Sequence, residues 1–129
     1  MNRVFPAEGA ALRKIRALIR ELAEDAGLPK RTSDDLVIAV SEACANAVLH
    51  AGGNEVSVTW TVHGPCLDVE IRDDGVFRRR VLTPEVGDPD QPGGHGIQIM
   101  MALMDEVSIR EGTARYPGTR VRLVKCRGR

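Results

Sequence analysis

The chain has 129 residues, enough for one domain with a real hydrophobic core. Lysine plus arginine and aspartate plus glutamate each total 18, so the formal net charge is zero and leaves no electrostatic footprint for nucleic acid or an anionic membrane. Phe5, Trp60, Phe77 and Tyr116 are too few aromatics for a base-stacking platform, no run approaches ~18 apolar residues, and no apolar leader opens the chain. The expectation is one cytoplasmic domain over residues 1–129, with no membrane and no direct nucleic-acid contact. Cys44, Cys66 and Cys126 are odd in number and widely spaced. They fit neither a disulfide framework nor a zinc site and read as reduced thiols.

The short stretch Arg3–Phe5 can supply a first edge strand. Leu12, Ile15, Ile19, Leu22 and Ala26 then recur at helical spacing, with Arg13, Lys14, Arg16, Arg20, Glu21 and Glu24 on other faces. This predicts an amphipathic helix stopped by Gly27 and Pro29. A second helix is expected from Thr32–Ser33, where Thr32 and Asp35 have capping-box spacing, to His50 or Ala51, with Gly52-Gly53 ending it. In residues 55–63, Val56, Val58, Trp60 and Val62 alternate with polar residues, as in a half-buried strand. Gly64-Pro65 turns the chain. Leu67, Val69 and Ile71 give the antiparallel partner.

Residues 76–93 show no period and hold Pro84, Gly87, Pro89 and Pro92; so long a loop in a small domain is usually functional or mobile. GGHGIQIMMALMD opens a third helix with Ile97, Met100, Met101 and Met104 as its core stripe. Val107 and Ile109, then Val121 and Leu123, mark two further strands. The other strand positions are polar, so one sheet face is wet and the helices must cover the other. The predicted fold is a two-layer α/β (α+β) sandwich: three helices on one face of a four- or five-stranded, mainly antiparallel sheet.

Three features carry chemistry. Glu42, Asn46 and His50 form one column at i, i+4 and i+8 on the second helix, beside the apolar stripe Leu36, Val40, Ala43 and Ala47. The column is either a solvated face or the wall of a cleft. In a cleft its hard oxygens suit Mg²⁺ shared with phosphates. Asp73 is in phase with Leu67, Val69 and Ile71; it is either a turn residue of RDDG or an inward carboxylate awaiting a ligand donor, with Gly75 allowing close approach. Gly93–Gly96 expose main-chain N–H groups at a helix start, which favours phosphate or is simply a loop-to-helix junction. No P-loop lysine follows, and no strand precedes it as a dinucleotide fingerprint requires. Arg78-Arg79-Arg80 reads as a solvated run, Cys44 as a small buried apolar residue, and Thr119 as an inward threonine at a strand start.

Taken together, E-x-x-x-N (Glu42, Asn46), D-x-G (Asp73, Gly75), a long loop, G-x-G (Gly94, Gly96) and G-T (Gly118, Thr119) resemble the histidine-kinase-like (GHKL) ATPase superfamily. SEACANAVLHA and GGHGIQIMMALMDEV look most like its anti-sigma-factor serine/threonine protein kinase branch, and the resemblance spans essentially the whole chain. Phe77 stands where the superfamily often has the last glycine of D-x-G-x-G, a departure common in that branch.

The resemblance implies an ATP- or ADP-binding kinase. Asn46 would help hold Mg²⁺, Asp73 would accept the adenine amino group with Thr119 nearby, and Gly75 would admit the base. Gly94, His95, Gly96 and Ile97 would meet phosphate, residues 76–93 would form the ATP lid, and Glu42 would be the base or orient the attacking hydroxyl. The implied partners are a sigma factor and an anti-sigma-factor antagonist, which the kinase would phosphorylate; a homodimer is allowed. The alternatives are a non-catalytic, nucleotide-dependent binding switch and, less well matched, a histidine-kinase catalytic fragment. His50, His63 and His95 offer no dimerising helix pair with an adjacent acid.

Overall fold

A computed structural model describes residues 1–49, 54–75, 96–110, 115 and 118–127, with the side chains at 46, 48 and 49 left outside the description. The elements are β1 (Asn2–Pro6), α1 (Gly9–Asp25), α2 (Lys30–Leu49), β2 (Glu55–His63), β3 (Cys66–Asp73), α3 (Gly96–Leu103), β4 (Glu106–Arg110) and β5 (Arg120–Cys126). The five strands form one sheet in the order β1-β2-β3-β5-β4, with every neighbouring pair antiparallel. Among the described residues, three helices and this sheet make the expected two-layer fold. The expected lid, with Gly94 and His95, lies outside the described residues, as does His50.

Alternation settles which face of the sheet is dry. Val56, Val58, Leu67, Val69, Ile71, Val121 and Leu123 are buried, as is Phe5 on β1. Between them Thr59, Thr61, Arg72, Ser108 and Arg122 stay exposed. Burying each large side chain such as Ile15, Ile19, Leu36, Leu67 or Ile71 stabilises by about 1.5–3 kcal/mol. The hairpin β2–β3 closes on two residues: Gly64 takes a φ of 57° ahead of Pro65, and His63 faces Cys66.

α1 ends in a Schellman motif. The Leu28 N–H donates to Ala23 O at 2.9 Å, and the Gly27 N–H donates to Glu24 O at 3.0 Å. Gly27 sits at φ 79°, and Leu28 is buried behind it. The buried stripe of α1 is Ala11, Ile15, Leu18, Ile19 and Ala23, with Leu12, Leu22 and Ala26 at its margin.

α2 is the central helix. It packs on α1, on α3 and on β2, β3 and β5. Leu36, Val40, Ala43, Cys44 and Ala47 are all at most 3% exposed, which is why its sequence is so rich in small apolar residues. It begins at Lys30, earlier than the capping-box spacing suggested. The Ser33 N–H already donates to Pro29 O at 2.8 Å, and Thr32 is buried within the first turn. Asp34 holds this start to α1 through Arg20 at 2.9 Å, and pairs within α2 with Lys30 at 3.0 Å. Hydrogen bonds from Arg20 and then Lys30 keep its carboxyl below the ordinary carboxylate value.

Three expectations need correction. Met101 is 65% exposed, because Met100 and Met104, one turn apart, take the core face, with Ile97 packed beside them. Val62 keeps the inward phase of β2 yet is 54% exposed, beyond the stretch that β1 and the helices cover. The cysteines are not three reduced thiols: Cys66 and Cys126 form a disulfide, and Cys44 is the free cysteine. They are 60 residues apart in sequence, but β3 and β5 are sheet neighbours and their register sets the two cysteines opposite each other.

Candidate functional site

β3 does not stop short of its RDDG sequence. Asp73 is its last residue, opposite Val56, and is 6% exposed. The inward phase of Leu67, Val69 and Ile71 thus ends in a carboxylate.

The first turns beyond β3 and before β5 build a frame around it. Asp73 Oδ1 accepts from the main-chain N–H of Gly75 at 3.0 Å and of Thr119 at 3.3 Å. The Asp73 N–H donates to Thr119 O at 3.1 Å, and the Gly118 N–H donates to Gly75 O at 2.9 Å. The ladder of β3 and β5 therefore continues past the strand ends as far as Gly75. Gly75 and Thr119 are buried beside Asp73.

Burial pushes the Asp73 pKa above the ordinary carboxylate value. The N–H groups of Gly75 and Thr119 pull it back, and the nearby Asp74 charge adds to the rise. A carboxylate kept this dry gains from a ligand that donates a hydrogen bond to it, as a purine amino group does.

Two residues matter here for reasons sequence reasoning had not supplied. Gly118 has a φ of 110°, and a Cβ there would lie 2.9 Å from Asp73 O. Only glycine takes that conformation and leaves the Asp73 main chain in place. Its place before an inward threonine was the available signal. Asp74 is exposed, and its Oδ1 accepts from the N–H groups of Asn54 at 2.7 Å and Glu55 at 3.1 Å. It ties the start of β2 to the end of β3. An Asp ahead of Gly was visible as turn chemistry, but its acceptor role was not.

The other candidates lie on the helices. Glu42 is partly buried on α2, four residues after Ile38, which is 47% exposed. The helix is therefore open to solvent at Ile38, one turn before the column, and partly covered at Glu42. Asn46 continues it one turn later. Gly96 and Ile97 open α3, so their N–H groups are among the first donors without intrahelical acceptors. Gly96 is buried and Ile97 is half-buried. Hydrogen bonds thus bring Asp73, Gly75 and Thr119 together, while Glu42 with Asn46, and Gly96 with Ile97, sit on two helices that pack on each other. Among the described residues no group of three or more His, Cys, Asp or Glu could cage a metal.

Comparisons with known proteins bear on the family and the fold. The family model of the histidine kinase-like ATPase domain matches residues 5–125. The serine-protein kinase RsbW of Bacillus velezensis is 34% identical over 122 residues, covering 84% of this chain and 76% of that protein. RsbW of Bacillus subtilis is 34% identical over 118 residues, with coverages of 81% and 74%. RsbW of Listeria monocytogenes is 31% identical over 118 residues, with coverages of 81% and 75%. In fold, the chain is similar to the crystal structure of the RsbU and RsbW domains of a Mycobacterium tuberculosis protein. That match has a TM-score of 0.70 at 23% identity and covers 96% of this chain and 32% of the longer one. The chain belongs to the histidine kinase-like ATPase family, in its anti-sigma-factor kinase branch, and is a protein kinase of the serine/threonine class.

Proposed function

We propose that this kinase binds Mg-ATP at the Asp73 end of the sheet, holds a sigma factor, and phosphorylates a hydroxyl of an anti-sigma-factor antagonist. The observation that carries the nucleotide reading is Asp73 itself: a carboxylate 6% exposed at the inner end of a strand, with one oxygen held by two main-chain N–H groups. Asp73 accepts the adenine amino group, Thr119 lies alongside, and Gly75 lets the base approach. Gly94, His95, Gly96 and Ile97 offer main-chain N–H groups to phosphate, and residues 76–93 form the lid. Asn46, with phosphate oxygens, would hold Mg²⁺, which neutralises charge on the transferring phosphoryl group. Glu42 accepts the proton of the attacking hydroxyl or orients it. No helix among the described residues is long and apolar enough to cross a membrane. ATP, a sigma factor and its antagonist place the proposed action in the cytoplasm. The names of the RsbW relatives support the kinase half of this reading, and the partners follow from the branch.

The test separates binding from transfer. A group that acts only in the transition state lowers turnover without weakening ground-state binding. Glu42→Gln keeps the shape and removes the basic oxygen. It should bind ATP as wild type does and transfer phosphate ~10²–10⁴-fold more slowly to an antagonist protein. Equal transfer by both proteins would remove Glu42 from the mechanism. Nucleotide binding without transfer by wild type to any cognate antagonist would favour a nucleotide-dependent switch.

A further inference from the structure

The wet face of the sheet carries a feature that nucleotide binding does not use. The register sets Arg72 of β3, Arg120 of β5 and Arg110 of β4 directly side by side. All three point away from the helices, since Ile71, Asp73, Thr119 and Val121 beside them are buried. Arg72 and Arg110 are exposed, and the Arg120 side chain is 41% exposed. Among the described residues Arg120 reaches one carboxylate, Glu70, at 4.0 Å, while Arg72 and Arg110 have no ion pair. The next row differs: Arg122 is clasped by Asp68 at 2.6 Å and 2.8 Å.

Like charges directly opposite on neighbouring strands destabilise a sheet. A row of three such groups with one loose counter-charge therefore suits an anionic occupant. The same register row continues through Ser57 to Val4, which is 56% exposed, so the cations have an apolar neighbour at the β1 edge.

We propose that this row docks an acidic helix of a partner protein. Strands lie ~4.8 Å apart, so Arg72 and Arg110 are separated by ~10 Å with Arg120 midway. Carboxylates at i, i+4 and i+7 of a helix rise by ~6 and ~10.5 Å, which matches that spacing. A continuous polyanion fits less well, because Asp68, Glu70 and Glu106 share the face and the chain has no net positive charge. The surface lies behind the candidate site. Arg72 Nε is 3.5 Å from the point a Cβ on Gly118 would occupy.

The experiment uses the full chain and a fluorescein-labelled, alanine-rich helical peptide with Glu at i, i+4 and i+7. Fluorescence anisotropy should show saturable binding that weakens with salt and is lost when the three Glu are Gln. Arg72→Glu with Arg110→Glu should weaken binding ~tenfold or more, the Gln counterparts should fall between, and Arg13→Glu on α1 should change nothing. Both arginines are exposed and flank Arg120, so the variants should unfold at or above the wild-type temperature. Four results would overturn the proposal: no saturable binding by wild type, equal binding by the charge reversal, tighter binding of a duplex DNA of equal charge, or a self-association of the chain that Arg110→Glu abolishes. The peptide arms need no nucleotide, so their failure leaves the Asp73 reading standing.

Discussion

Replacing Asp73 by Asn changes one oxygen to an NH₂ and little else. The amide oxygen can still accept from Gly75 and Thr119, now at 3.0 Å and 3.3 Å from Oδ1, so the frame should survive. What disappears is the charge and the acceptor-only character that a ligand donor needs. Losing a charge-assisted hydrogen bond costs about 1.5–3 kcal/mol, or ~10- to 150-fold in Kd. Stability should move the other way. Burial raises the Asp73 pKa, so the folded chain holds that proton more tightly than the unfolded chain does. The contribution of Asp73 to stability therefore falls as pH rises from the ordinary carboxylate value through the raised one, and is adverse at neutral pH. Asp73→Asn should leave the nucleotide-free protein at least as stable as wild type at pH 7. Because the ionised carboxylate accepts the donor, wild-type ATP affinity should fall as pH drops through the raised pKa, and Asn should remove that dependence. Calorimetric titration of ATP into both proteins from pH 4.5 to 8, with thermal unfolding alongside, reads all three effects. A folded Asp73→Asn protein that binds ATP as wild type does, with the same pH profile, would refute the reasoning.

Gly118→Ala places a Cβ 2.9 Å from Asp73 O at a φ of 110°. It should lower stability by about 1–3 kcal/mol in urea unfolding and weaken ATP binding with it. Cys44 is buried and its thiol pushed up to about 12, so it should resist aromatic disulfide reagents in the native protein and react only on unfolding. Unreduced protein should yield one reactive thiol in denaturant. Reducing Cys66–Cys126, which closes 60 residues, should lower stability by up to about 4 kcal/mol, measured by unfolding with and without reductant.

The hairpin was legible because both strands alternate without interruption, and that same alternation carried Asp73 into the inward phase. The inward stripe of the central helix, Leu36, Val40, Ala43 and Ala47, was legible from its helical spacing. Patterns fail where burial depends on which neighbour covers a position. Met101 sits beside Met100 in sequence but about 100° away around the helix, and it faces solvent. Val62 keeps the period of β2 where nothing covers it. Cys66 and Cys126 become neighbours only because β5 inserts between β3 and β4, an order that no local signal encodes. The start of α2 moved to Lys30 because Pro29 and Ser33 already close the first turn, which local capping residues did not show.

The central claim is an adenine-nucleotide site read by Asp73. Its most direct test is titration of wild-type protein with Mg-ATP and Mg-GTP in the calorimeter. Saturable ATP binding near the micromolar range, about −8 kcal/mol, with GTP weaker by tenfold or more, is the result expected. No saturation with ATP up to millimolar concentration, or equal affinity for the two nucleotides, would contradict it.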